Sequence, residues 1–269
     1  MKRFFVVMLL CVSVRAFAGD LAFYIIYPDG EGDTESARPY LGQLYDYLNE
    51  KTGLSVDGLY LNDPDEAVLA LKNKGINLAI VSPDFFEQYK DQFQFSPVLK
   101  TIPVYSAGPY EKYYIMAEKN VDIADIMEKN TPVSLFSSKA YDDAFLNNKV
   151  FYENAEIKKI TWVLGQSPDI VNTIKEITAG KKNTFVLLTG YEFSVINDLK
   201  KKNMDFARLK LVYTSREQPS SPLILIGTER PKELPAIKEA LLGMPLSLSG
   251  NLILKKLRLK GFAEIQDGK

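Results

Sequence analysis

The run Ile76 to Val81 is apolar at every position but Asn77 and lies between the polar Lys72-Asn73-Lys74-Gly75 and Ser82-Pro83-Asp84. Such a run reads as a strand covered on both faces, which an open parallel sheet achieves with helices above and below it. The flanking sequence supplies them. Leu21 to Tyr27 is a strand rich in aromatic and β-branched residues, closed by the turn Pro28-Asp29-Gly30. A helix opening at Pro39 sets Leu41, Leu44 and Leu48 on one face and stops at Gly53. Val56 to Leu61 is a second strand, and Asp63-Pro64 are N-cap and N1 of a helix burying Ala67, Val68 and Leu71.

The same alternation resumes downstream. Strands are expected at Val133 to Phe136, Ile160 to Leu164, Phe185 to Leu188, Leu209 to Thr214 and Leu223 to Gly227. Helices are expected to begin at Ser137-Ser138, Ser167-Pro168, Thr189-Gly190, near Pro231 or Glu233, and after Pro245. This order gives an α/β class with mostly parallel sheets. Thr101 to Met116, long, aromatic and extended, reads as a crossover between two lobes, with a second crossover near Leu211 to Ser215. The expected division is 19–106 for the first part of lobe 1, 107–211 for lobe 2 and 212–269 for the segment returning to lobe 1.

Lys2-Arg3, an apolar stretch from Phe4 to Val14, and Ala16-Phe17-Ala18 together read as a signal peptide, 1–18, cut after Ala18. Leu10 stands before Cys11 where lipidation would need a small residue. Removing the segment takes away the only cysteine together with Lys2, Arg3 and Arg15, and lowers the formal net charge from -1 to -4. The chain has no histidine. These absences exclude Cys/His zinc sites, serine-histidine and cysteine nucleophiles, and His-ligated haem. The charge balance argues against a nucleic-acid partner.

Three loops lead from the C-terminal end of a strand into a helix: Ser82-Pro83, Ser137-Ser138 and Thr189-Gly190. Ligands of open α/β sheets gather at those ends, where helix N–H groups and hydroxyls act as donors. Each hydroxyl is also a natural N-cap worth about 1 kcal/mol, so convergence of all three loops on one cleft is what would mark a ligand site. Tyr27, Tyr110, Tyr141 and Tyr191 lie at strand ends, in the crossover or in these loops, and each offers a stacking face with a hydroxyl. Asp84, Asp142, Asp143 and Glu192 near the helix starts weigh against a highly charged anion.

Tyr47 to Leu54 leading into a strand, Glu66-Ala67-Val68 to Leu71, Gly75-Ile76-Asn77-Leu78-Ala79 and Val81-Ser82-Pro83 follow in the order of a known family, as do Gly165 to Gly180 and Leu211 to Ser215 with Pro219 and Pro222. Over nearly the whole chain past residue 18 the sequence resembles the phosphate/phosphonate-binding group of periplasmic solute-binding proteins. The resemblance implies a two-lobed type 2 periplasmic-binding-protein-like fold with two hinge crossovers, and no catalysis or cofactor. It also implies capture of a small solute, an anion such as phosphate or phosphonate or another small organic molecule, for an inner-membrane ABC permease, and a monomer is the default state of such a diffusing carrier. Where phosphonate binders of the family carry a Ser-Thr-Ser-Gly-like stretch, this chain has Phe136-Ser137-Ser138-Lys139-Ala140-Tyr141. Two other readings stand beside it: a periplasmic sensor of the same fold acting on a membrane partner, and an exported hydrolase. The hydrolase would need a nucleophile or metal ligands, and Asp142-Asp143, adjacent on a helix, do not face each other.

Overall fold

β1 (Leu21–Ile26) is buried along its whole length. Leu21, Phe23 and Ile25 face one apolar cluster and Ala22, Tyr24 and Ile26 another, because successive side chains of a strand point to opposite faces. The computed structural model describes residues 21–28, 33–73, 75–152, 154–228 and 230–265. The expected signal peptide and the Asp29-Gly30 turn lie outside the described residues.

α1 (Thr34–Thr52) opens at Thr34 rather than at Pro39, since Asp33 and Ser36 cap it reciprocally. Gly53, in the left-handed region at φ 70°, closes it by donating to the Asn49 carbonyl. The expected strand Val56 to Leu61 is divided into β2 (Val56–Asp57) and β3 (Tyr60–Leu61). Between them the backbone of Gly58 passes so close to β1 that a Cβ would sit 1.7 Å from the Phe23 carbonyl oxygen. α2 (Pro64–Lys72) is capped by Asp63 as expected. β4 (Leu78–Val81) leads through Ser82 into α3 (Pro83–Tyr89), and β5 (Ser96–Pro103) follows. Asn77, the polar member of the run, accepts a hydrogen bond from the Ala22 N–H at 2.9 Å.

The chain then crosses through β6 (Tyr110–Glu111) into β7 (Tyr114–Glu118), α4 (Ile123–Glu128) and β8 (Val133–Ser137). No helix starts at Ser137-Ser138. Ser137 ends β8 and donates to the Lys139 carbonyl at 2.6 Å, and α5 (Asp143–Phe145) begins only where the Asp142 carboxylate accepts from the Phe145 N–H. α5 runs on into a π-helical turn, Leu146–Val150. β9 (Trp162–Gln166), α6 (Ile170–Thr178), β10 (Thr184–Leu188), α7 (Gly190–Lys202) and β11 (Leu209–Thr214) complete the second lobe. The cap of α6 is Asp169, not Ser167. β12 (Gln218–Pro219) and β13 (Pro222–Leu225) carry the chain back, and α8 (Leu234–Gly243), α9 (Leu248–Lys256) and β14 (Leu259–Glu264) end it.

The strands form two large sheets, ordered β14-β5-β13-β4-β1-β2, with β3 also on β1, and β11-β7-β10-β8-β9. β1 pairs in parallel with β2, β3 and β4, and β8 with β9 and β10. Both sheets are mixed rather than mostly parallel as expected: β13 runs antiparallel to β4 and β5, and β14 to β5, in the first, and β7 to β10 and β11 in the second, because the strands that follow a crossing enter from the opposite end. Each sheet is packed on both faces. In the second, Ile115, Leu135 and Phe185 face one cluster while Met116, Val186 and Leu188 face the other.

The two crossings lie side by side. β6 and β12 pair antiparallel, Glu111 opposite Gln218 and Tyr110 opposite Pro219. Ser215 exchanges hydrogen bonds with the backbone of Tyr113, and the Thr101 hydroxyl donates to the Ser221 carbonyl. Because these hydroxyls are buried, each needs such a partner.

Candidate functional site

The three hydroxyl loops follow the C-terminal ends of β4, β8 and β10. Two of the three hydroxyl loops act as helix caps there. Ser82 accepts from the Phe85 N–H at 3.3 Å. Thr189 accepts from the Glu192 N–H at 3.3 Å and donates to the Glu192 carboxylate at 2.8 Å, while that carboxylate also accepts from the Thr189 N–H. Ser138 offers its carbonyl to the Gln166 amide.

The tyrosines are distributed unevenly. The Tyr27 hydroxyl donates to the Ser221 hydroxyl at the hinge. Tyr141 stacks on Phe145 with ring centres 4.2 Å apart, and Tyr113 meets Phe145 edge-on at 5.2 Å. Tyr191 lies 6.4 Å from Tyr105. Tyr110 is a hinge residue, with the Lys112 ammonium 5.7 Å from its ring centre.

A cavity of about 220 Å³ opens between α3, the hinge strands and the α5 region. Asp84, Glu111, Tyr113, Phe145, Lys149 and Gln218 are among the residues on its wall, and of the site residues read from the sequence Pro83 lines it. Two lysines of the second lobe reach across to the first. Lys139 Nζ donates to the Pro28 carbonyl at 3.5 Å, and Lys149 pairs with Glu87 at 3.8 Å.

The electrostatics knit these groups into one cluster. Burial pushes the Glu111 carboxyl up to about 7, against the Lys139 charge and a Tyr105 hydrogen bond, with the nearby Asp84 charge adding to the rise. Burial also raises Asp84, although Lys139 and Lys149 draw it down. Burial holds Tyr113 and Tyr141 well above the usual phenol range, and the Asp84 and Glu111 charges add to it; Tyr141 raises Tyr113 further, whereas the Tyr113 hydrogen bond draws Tyr141 down. Among the described residues no group of three His, Cys, Asp or Glu side chains is placed to hold a metal.

Sequence reasoning missed Glu111, Tyr105, Tyr113 and Ser221. A signal for the first was available: Glu111 is the one acidic residue in the aromatic crossover Thr101 to Met116. Ser221 carried none, because its role depends on the return strand lying beside Tyr27 and Thr101.

The architecture has known counterparts. A binding-protein component of an ABC phosphonate transporter from Pseudomonas aeruginosa superposes with a TM-score of 0.61 at 13% identity, over 92% of this chain and 82% of that one. A Xanthomonas citri protein bound to ATP gives 0.65 at 12% identity, over 92% and 91% of the two chains. A Prochlorococcus marinus protein in complex with methylphosphonate gives 0.61 at 17% identity, over 92% and 93%. At such identities the likeness is one of fold, and it bears out the two-lobed type 2 architecture. No curated protein sequence matches the chain. The periplasmic substrate-binding protein family of phosphonate ABC transporters matches residues 33–269. The chain therefore belongs to the periplasmic substrate-binding proteins of phosphonate-type ABC transporters.

Proposed function

We propose that the protein takes up its solute in the cavity between α3, the hinge pair β6–β12 and α5, and that it works by hinge closure without catalysis. The bodies that close are the lobes 19–106 with 212–269 and 107–211. Closure buries a solute and presents a composite surface that an inner-membrane ABC permease distinguishes from the open form. The protein acts as a monomer, has no nucleic-acid partner, and is released to the periplasm by a cut after Ala18. The observation that carries this reading is the meeting of Asp84 from the first lobe, Glu111 and Tyr113 from the crossing, and Phe145 and Lys149 from the second lobe on one cavity wall. A chain with no cleft function would have no reason to leave charged groups facing an aromatic cavity at its hinge.

The test is calorimetric titration of the protein from Gly19 onward with small organic anions, amines and amino acids, beside the same titrations of Phe145→Ala. Saturable one-to-one binding, weakened by the substitution, is the expected result. Saturable binding that Phe145→Ala leaves unchanged would move the site elsewhere.

A further inference from the structure

Several of the donors that an anion would use in this cleft are already engaged. At the start of α3, Pro83 has no N–H and the Phe85 N–H is held by Ser82. At the start of α5 the Phe145 N–H is held by the Asp142 carboxylate, and at that of α7 the Glu192 N–H is held by the Thr189 hydroxyl. Of the other donors on the cavity wall, Gln218 donates to the Lys149 carbonyl, Ser220 to the Thr101 carbonyl, and Lys149 pairs with Glu87. A dianionic phosphonate group with three acceptor oxygens would find few side-chain donors on this wall besides Lys100.

The same wall carries acceptors. Asp84 and Glu111 both line the cavity and both lie near Lys139, whose ammonium also reaches the Pro28 carbonyl; Asp84 also lies near Lys149, and Glu111 has a hydrogen bond from Tyr105. Burial is the main cause of the upward displacement of both carboxyls, and neighbouring carboxylates add to it, so a cation entering the cavity would meet two desolvated acidic groups. The Tyr113 and Phe145 rings stand beside them, and aromatic faces attract cations. Lys100, also on the wall, is not among the charges acting on either carboxyl. It is left for an anionic group at the other end of the same solute.

Resting on the cavity as the solute site, we propose that this protein selects a small ammonium-bearing organic solute, its ammonium held between Asp84 and Glu111 against the Tyr113 and Phe145 rings. The cavity volume, below the ~300 Å³ at which drug-sized pockets begin, restricts it to a short molecule. The ammonium takes the place of the proton that Glu111 otherwise holds near neutral pH.

Matched pairs isolate the ammonium: 4-aminobutyrate against butyrate, and 2-aminoethylphosphonate against methylphosphonate, with putrescine as a purely cationic probe. Each is titrated calorimetrically into the protein and into Asp84→Asn and Glu111→Gln. Cooperative melting of both variants without ligand is checked first. The expected result is binding by at least one ammonium compound, at least about tenfold tighter than its ammonium-free counterpart and weakened by about tenfold or more in either variant, as for loss of a charge-assisted hydrogen bond. Binding of butyrate or methylphosphonate as tight as that of the amine overturns ammonium selection and leaves solute capture standing. Absence of binding by every probe overturns this proposal. Binding that survives both carboxylate substitutions but fails in Phe145→Ala keeps the cavity and rejects the carboxylates as its selective element.

Discussion

The Arg258 guanidinium lies 3.9 Å from the centre of the Tyr191 ring. Arg258 belongs to the turn between α9 and β14 in the first lobe, and Tyr191 to the first turn of α7 in the second. The contact therefore joins the two lobes, as the Lys149–Glu87 pair does. A cation–π contact at a partly exposed site contributes about 0.5–1 kcal/mol, enough to shift a closed-to-open ratio by up to about fivefold. Arg258→Ala is expected to raise the radius of gyration of the ligand-free protein in solution scattering. An unchanged value would mean that the contact does not hold the lobes.

Gly190 opens α7 directly beneath the hinge tyrosine. A Cβ there would stand 2.4 Å from the Tyr105 ring, and that ring must lie close for the lobes to meet. Alanine should favour the helix by up to about 1 kcal/mol while obstructing closure. Gly190→Ala is thus expected to keep or raise the melting temperature yet weaken solute binding, as read by parallel melting and titration. A variant that binds normally would show that Tyr105 can move aside freely.

Thr189 and Ser82 test caps against ligand contacts. Both bonds of the Thr189 hydroxyl go to Glu192, so Thr189→Ala is expected to destabilise the fold by about 1 kcal/mol and leave affinity unchanged. Ser82→Ala should behave alike, since Ser82 is buried and caps α3. A loss of affinity larger than the loss of stability would assign either hydroxyl to the solute.

Glu111 gives the protein a pH signature. Its folded carboxyl, pushed up to about 7, lies above the ordinary value of 4.5, so the native state binds the extra proton between those limits. Stability should therefore be greatest below about pH 4.5 as far as this group is concerned, and fall as pH rises towards 7. Asp84, also raised, contributes in the same direction. The melting temperature of the ligand-free protein should drop between pH 5 and pH 8 by more than that of Glu111→Gln, within roughly pH 5–8. Equal slopes would mean that Glu111 is not the titrating group.

Much of the fold was legible because strand and helix periodicities are local. β1, β4, β10 and α2 lie where apolar runs and the Asp63-Pro64 start placed them. The helix expected at Ser137-Ser138 failed for an equally local reason: Asp142 supplies a carboxylate acceptor a few residues on, and helices start where the orphan N–H groups are best satisfied. β5 and β14, absent from the reading, pair with each other and with strands far away in the chain. Nothing in their own residues announces such partners.

The sequence by itself determined the two blocks of alternating strand and helix, the aromatic crossing, and the lack of imidazole chemistry. It did so because burial pattern and residue type are properties of short segments. Only the tertiary structure decided which charges share the cleft. Asp84, Glu111 and Lys139 stand far apart in the chain, and they act on one another only because closing two sheets over a double hinge removes the water between them.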